Sequence, residues 1–444
     1  MQDRFASNPI LARAVASARR NLPQTKAFAD RLGPGLITGA ADDDPSGIAT
    51  YSQAGSQFRF SLVWTLLLTT PLMIGIQMLS ARIGWVTGQG LAANIARICP
   101  RWLTLTLVFL LVVANTINIA ADIGAMAEAT RLLVGGHVLP YIVAFGLLSM
   151  LGQVFFSYER SVRILKWLTL ALFSYVAVIL VVHVPWHQAV SESLQPWQFM
   201  PEKTSISTYA SMVVAVLGTT ISPYLFFWQA AQEVEDGRRR PDALTLHHEP
   251  AYAEEHLSRI RQDTFVGMLF SNLIALCIVL ATAVTLNMQG ITDIQTSAQA
   301  AEALRPVAGE FAFMLFALGV IGTGMLAVPV LAGSAAYAVS EVFGWEAGLS
   351  HGFHEARGFY SIIVAATGMG TVLSIFEVDP IKALVWSAIV NGVISVPIMV
   401  VMMWIGQSRA IMGELTISTS HRILGWAATG IMAIAVVLMA FTTG

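Results

Sequence analysis

The sequence predicts an all-α polytopic membrane protein with eleven transmembrane helices, ten of them forming two inverted five-helix repeats. Three observations carry that reading. Of 444 residues, 55% are hydrophobic and only 12% charged, about half the charged share of soluble domains. Apolar runs long enough to cross about 30 Å of hydrocarbon recur eleven times. Two of these runs, the first and the sixth, are interrupted at their centres by a proline in polar company.

The first run, 35–58, contains Ala40-Ala41-Asp42-Asp43-Asp44-Pro45-Ser46-Gly47. Carboxylates at the bilayer centre cost several kcal/mol even on lenient scales. Pro45 removes a backbone donor and Gly47 weakens the helix further. Backbone broken at that depth is tolerated only where it lines a protein cavity, so the stretch reads as a cation site on an unwound helix. Regular runs follow at 61–83, 103–133, 138–157 and 164–184. A stretch with Pro185, Pro196 and Pro201 then marks an extracytoplasmic loop.

The sixth run, 206–231, has Gly218-Thr219-Thr220-Ile221-Ser222-Pro223-Tyr224 at its centre. The two breaks lie five helices apart. Five is odd, so a second five-helix unit enters from the opposite face and any repeat is inverted. Interrupted helices at matching positions of inverted halves point to a transporter site at the midplane. The remaining runs are 264–286, 311–343, 359–376, 381–405 and 423–441. The predicted organisation is a cytoplasmic N-terminal segment 1–34, a first repeat 35–184, a loop 185–205, a second repeat 206–405, and a cytoplasmic loop with the eleventh helix over 406–444.

Basic residues set the orientation. With the N-terminus inside, twenty of the 25 Lys and Arg residues fall on inner segments, leaving Arg59, Arg131, Lys203, Arg305 and Lys382 outside. The prediction is an integral protein of the cell membrane, N-terminus cytoplasmic and C-terminus extracytoplasmic. The basic N-terminal stretch has no apolar signal core, so the first span is expected to act as its own insertion signal. Cys99 and Cys277 permit neither a disulfide framework nor a paired-cysteine metal motif. The net charge of −2 carries no information on partners; the lipid bilayer is one, and nucleic acid is not expected.

Gly33-Pro34-Gly35 followed by Asp44-Pro45-Ser46-Gly47-Ile48-Ala49-Thr50 resembles the first helix of the NRAMP divalent-metal transporters, which carry GPG and then DPGN with an Ala-Thr pair. Ala81-Arg82-Ile83-Gly84, Thr87-Gly88 and Leu91-Ala92 resemble the family stretch after helix two, and Ala120-Ala121-Asp122 the start of its helix-three acidic pattern. The resemblance implies a LeuT-type fold with broken helices 1 and 6, divalent metal ions as transported substrate, no cofactor and no enzymatic activity. The chain also departs from the family. The family asparagine maps to Gly47, its Met-Pro-His to Ser222-Pro223-Tyr224, and its helix-three glutamate to Ala125, with Glu128 about a turn later.

By that analogy the metal ligands are the Asp44 carboxylate, the Ser222 hydroxyl and the carbonyls of Ala41 and Thr219. Asp42, Asp43, Gly47, Tyr224 and Asp122 take supporting or gating roles. A thioether favours softer transition metals, whereas oxygen suits hard ions. Loss of sulfur at Ser222 and of bulk at Gly47 therefore predicts a roomier, oxygen-only site favouring Mn²⁺ or Mg²⁺, with Fe²⁺ possible. Adjacent residues lie about 100° apart on a helix, so Asp42 and Asp43 are expected to separate, one toward an inner vestibule and one toward the neighbouring bundle. Replacement of the family histidine by Tyr224 predicts weak or absent proton coupling, with Asp122 as the remaining carrier. The rival readings are a proton-coupled Mn²⁺/Fe²⁺ symporter, a carrier of an organic solute on the same fold, and an intramembrane aspartyl protease using Asp44 and Asp122. The protease leaves the paired proline breaks without purpose. Asn391, with Ser387 and Ser395 four residues to either side, offers a polar face either to the permeation path or to interhelical hydrogen bonds, and packing is the expectation. His247, His248, Glu249, Glu254, Glu255 and His256 are expected in a solvated inner loop.

Overall fold

The computed structural model describes residues 34–155, 170–196, 205–238, 250–376 and 380–443, all helices and connections with no strand among them. The basic residues Arg160, Arg163, Lys166, Lys203, Arg239 and Arg240, and the predicted loop residues His247, His248 and Glu249, lie outside the described residues.

The first expected span is two helices, α1 (Pro34–Asp42) and α2 (Pro45–Phe58). After it come α3 (Val63–Thr87), a short α4 (Leu91–Ile98), α5 (Arg101–Val134) and α6 (Val138–Phe155). The predicted fifth span is described from Leu170 onward and ends in α7 (Phe173–Val181), which turns by 109° into α8 (Trp186–Leu194). The sixth span is again two helices, α9 (Ile206–Thr220) and α10 (Pro223–Arg238). The rest are α11 (Pro250–Thr285), α12 (Ala312–Phe343), α13 (Arg357–Phe376), α14 (Pro380–Gln407) and α15 (Thr419–Thr443). Among the described residues, length and apolarity return nine spans outright. They coincide with the second to fourth and sixth to eleventh expected runs.

Proline alone does not make the two breaks. Pro71, Pro329 and Pro397 lie inside α3, α12 and α14, which run on through them. At Pro45 and Pro223 the preceding residue takes over the backbone groups that a helix end orphans. Asp44 is extended (φ −68°, ψ 171°), caps α2 by accepting the Gly47 N–H, and leaves Pro45 at the first helical position. Ser222 turns its hydroxyl back onto the Gly218 and Thr219 carbonyls at the end of α9. Capping chemistry converts a tolerable kink into a true interruption.

Two sets of helices pack around the breaks. α11 lies along α1, α2 and α3, and α10 packs on α3 and α12; α5 packs on α12, α13 and α14, and α9 on α14 and α15. Close approach of α1 to α11 depends on glycine. A methyl group on Gly39 would come within 2.3 Å of the Gly267 carbonyl oxygen, and one on Gly35 within 2.7 Å of the Thr264 nitrogen. The Gly35 N–H is in turn accepted by Asp263 at 2.7 Å, so α11 caps α1. Exposed Phe109, Leu148, Phe155, Val437 and Phe441 give the helices an apolar exterior, as an integral membrane protein requires.

One expectation fails here. The seventh span, expected over 264–286, is present, but the polar loop before it is shorter than expected, because α11 starts at Pro250. Ala253 and Ile260 are buried against Ala81 and Trp85 of α3, and this packing carries the helix through a sequence too polar to read as a span.

Candidate functional site

The two helix breaks meet. Asp44 Oδ1 accepts from the Gly47 N–H at 2.7 Å and from the Ser46 hydroxyl at 2.6 Å. Oδ2 accepts from the Asn118 amide of α5 at 2.9 Å and lies 3.4 Å from the Tyr224 hydroxyl of α10. That same hydroxyl donates to the Ala41 carbonyl at 3.0 Å. Tyr224 therefore reaches from the second break into the first and engages two of the oxygens expected as ligands. Ser222 Oγ lies 2.8 Å from the Gly218 carbonyl and 2.9 Å from that of Thr219. Donating its one proton there leaves the oxygen lone pairs available. Ala41, Asp44, Thr219, Ser222 and Tyr224 are all at most 2% exposed, so this is a closed conformation.

Asp42 and Asp43 do not separate as expected. The Ser271 hydroxyl of α11 lies 2.6 Å from Asp42 Oδ2 and 3.2 Å from Asp43 Oδ1. Both carboxylates converge on this hydroxyl because they end α1, where the backbone leaves helical geometry. All three aspartates are at most 2% exposed, and none joins an ion pair among the described residues. Buried charges are ordinarily paired or coordinate a metal. Three buried carboxylates at one helix break supply oxygen donors of the kind a hard cation takes.

The room expected at Gly47 is absent. A Cβ there would meet the Asp42 carbonyl and the Tyr51 ring at 3.3 Å and the Thr219 hydroxyl at 3.4 Å; these neighbours have closed over the position. Asp122 is fully buried on α5, one turn beyond Asn118. Glu128 is paired instead with Arg131 at 2.7 Å, near the end of α5 and away from the site. Asn391 is 1% exposed and neither amide atom has a hydrogen-bond partner among the described residues. The interhelical bonds expected around it do not form: Ser387 and Ser395 donate to Leu384 and Gly392 of their own helix.

A second polar cluster lies between α10 and α11. Ligand-type atoms of Glu233, Asp236 and His256 fall within 4.8 Å of one another. Arg259 already stands among them, its Nη2 at 2.8 Å from Asp236, 3.4 Å from Glu233 and 3.0 Å from His256 Nε2. The group is an ion-pair latch holding the second half of the sixth span to the start of the seventh. His256, expected in solvent, is 5% exposed and stacks on Trp85 at 4.7 Å, whereas Glu254 and Glu255 are exposed as expected.

Asn118, Ser271 and Arg259 were not anticipated. Asn118 had a signal, since Asn115, Asn118 and Asp122 recur at helical spacing on one face of the third run. Ser271 is a lone serine in an apolar stretch and had none.

Residues 35–442 match the family model described as natural resistance-associated macrophage protein-like, Nramp. The divalent metal cation transporter MntH of Acidiphilium cryptum is 27% identical over 395 residues, covering 87% of this chain and 84% of its own. That of Klebsiella pneumoniae (strain ATCC 700721 / MGH 78578) is 25% identical over 408 residues, covering 90% and 91%. Among solved structures, the Eremococcus coleocola manganese transporter superposes with a TM-score of 0.69 at 16% identity, over 94% of this chain and 87% of that one. Mhp1, a nucleobase-cation-symport-1 family transporter, gives 0.53 at 13% identity, over 93% and 92%. At such identities the likeness is one of fold, and the fold is the LeuT-type arrangement that the family resemblance implies.

Proposed function

The chain belongs to the Nramp family, and from that premise we propose that it is a secondary transporter of divalent metal cations, with its site between the broken first and sixth spans. It is a transporter and not an enzyme, and the metal is its substrate rather than a cofactor. The observation that carries the reading is the set of three buried aspartates at the first break, with no ion-pair partner among the described residues. Asp44 is the direct carboxylate ligand, joined by the Ser222 hydroxyl and the carbonyls of Ala41 and Thr219. Asn118 orients the carboxylate, and Tyr224 gives up its bond to the Ala41 carbonyl as that oxygen turns to the metal. Entry and exit follow by alternating access of the two repeats, 35–184 and 206–405, around a fixed midplane site. The excess of basic residues on one side supports a cytoplasmic N-terminus and an extracytoplasmic C-terminus in the cell membrane.

The proposed ligands, a carboxylate, a hydroxyl and two carbonyls, are all oxygen, which supports Mn²⁺ and Mg²⁺ over softer ions. The closed packing at Gly47 removes the argument from spare volume, so selectivity rests on donor chemistry alone. A tyrosine in place of the family histidine supports weak or absent proton coupling, with Asp122 as the remaining candidate carrier.

Uptake of Mn²⁺, Mg²⁺ and Ca²⁺ into proteoliposomes carrying an internal pH dye tests the reading. The expected result is Mn²⁺ uptake that Mg²⁺ competes for, little acidification, and no uptake by Asp44→Ala. Mn²⁺ uptake indifferent to excess Mg²⁺ would overturn the selectivity. Strong metal-driven acidification lost in Asp122→Asn would overturn the weak coupling.

A further inference from the structure

A cleft of roughly 290 Å³ opens between the end of α3, the first turns of α11 and the segment joining α14 to α15. Its ionisable lining is Arg82, Arg261, His421 and the exposed carboxylate of Glu254. Arg82 spends two N–H groups on the Leu415 and Thr416 carbonyls, at 3.0 and 3.1 Å, which fixes its guanidinium at the wall. A guanidinium has five donors, so three remain. Arg261 is exposed and makes only a 3.4 Å contact with Ser258. Neither arginine has an ion-pair partner among the described residues. The His421 ring lines the same cleft from the first turn of α15, where helix N–H groups add positive potential. Two guanidiniums and an imidazole thus converge against one carboxylate.

The remaining lining is largely apolar: Met78, Leu79, Leu257, Ile260 and Ile417. From Arg261, α11 continues through Phe265, Leu269 and Leu273, at helical spacing and 47%, 43% and 50% exposed. A charged mouth leading onto an apolar track along a membrane-spanning helix fits an amphiphile better than a soluble anion. We propose that this cleft binds the phosphate of an anionic phospholipid, with an acyl chain lying along Phe265 and Leu269. The orientation proposed above makes it a lipid of the cytoplasmic leaflet. Fork-shaped arginine donors match phosphate oxygens, and basic pockets between membrane helices are suited to acidic headgroups. The metal reading is not needed for this, so the failure of either leaves the other standing.

The test is a binding titration of the detergent-purified full chain, in chelator, with dioctanoyl phosphatidylglycerol. Wild type is compared with the Arg261→Gln/His421→Gln double variant, with Arg261→Lys, and with Arg97→Gln as a basic-residue control on α4. The double variant is expected to bind at least about ten-fold more weakly, the size expected for lost charge-assisted hydrogen bonds, and Arg261→Lys to recover part of that loss. Arg97→Gln should behave as wild type, and dioctanoyl phosphatidylcholine should bind wild type at least about ten-fold more weakly. Equal affinity of wild type and the double variant, at matched melting temperatures, would overturn the proposal. So would equal affinity for phosphatidylcholine. Glycerol phosphate binding as tightly as the lipid would assign the cleft to a soluble phosphate and refute the lipid.

Discussion

Replacing Tyr224 by Phe removes one hydroxyl and little else. In the closed conformation that hydroxyl donates to the Ala41 carbonyl at 3.0 Å and stands 3.4 Å from Asp44. In the proposed binding mode the metal takes the place of that hydroxyl on the Ala41 carbonyl, so its bond is part of the cost of binding. A neutral intramolecular hydrogen bond is worth about 0.5–1.5 kcal/mol net. Its removal should destabilise the metal-free protein by that amount and tighten the metal dissociation constant by about two- to twelve-fold. The side chain is 1% exposed, and Phe keeps its volume, so packing changes little. Calorimetric titration of Mn²⁺ and Mg²⁺ into the purified protein reads the affinity, and thermal melting without metal reads the stability. A Tyr224→Phe protein that binds metal several-fold more weakly would refute the reasoning. The hydroxyl would then be a ligand, or a holder of metal-bound water, and not a plug.

Two further outcomes follow from the site and the latch. Arg259→Ala leaves Glu233, 1% exposed, beside the like charge of Asp236; a loss of about 1–3 kcal/mol is expected as a lower melting temperature, and an unchanged melt would sink the latch. Asn391→Leu should keep or raise the melting temperature, because the amide makes no bond in this conformation, while lowering Mn²⁺ uptake. Intact uptake in that variant would remove Asn391 from the permeation path.

The helix breaks were legible because they depend on neighbours in sequence. Asp44 caps the helix that Pro45 begins, and Ser222 closes the one that precedes Pro223. The first break's partners were not, because they come from far along the chain. Asn118 is 74 residues from Asp44, and Ser271 is 229 from Asp42. Nothing local distinguishes Ser271 from a polar residue that satisfies its own helix, as Ser387 and Ser395 do; the spacing of Asn115, Asn118 and Asp122 marks a polar face but does not name what that face meets. The burial of His256 was hidden for a related reason. Its helix is held by packing on α3, while composition there reads as loop. The volume inferred at Gly47 failed because a missing side chain says nothing about which neighbour moves in; here Tyr51 and Thr219 do.

The glycines facing α11 bear on how the first span moves. Gly35 and Gly39 on α1 and Gly55 on α2 all abut the same unbroken helix, with Ser271 bound at the level of the break. α11 is a splint laid across a fracture. The joint at Asp43 and Asp44 bends only if α1 peels from the rod or takes the rod with it. A pivot spanned in this way moves in one piece or not at all, which favours discrete positions of α1 over a graded swing.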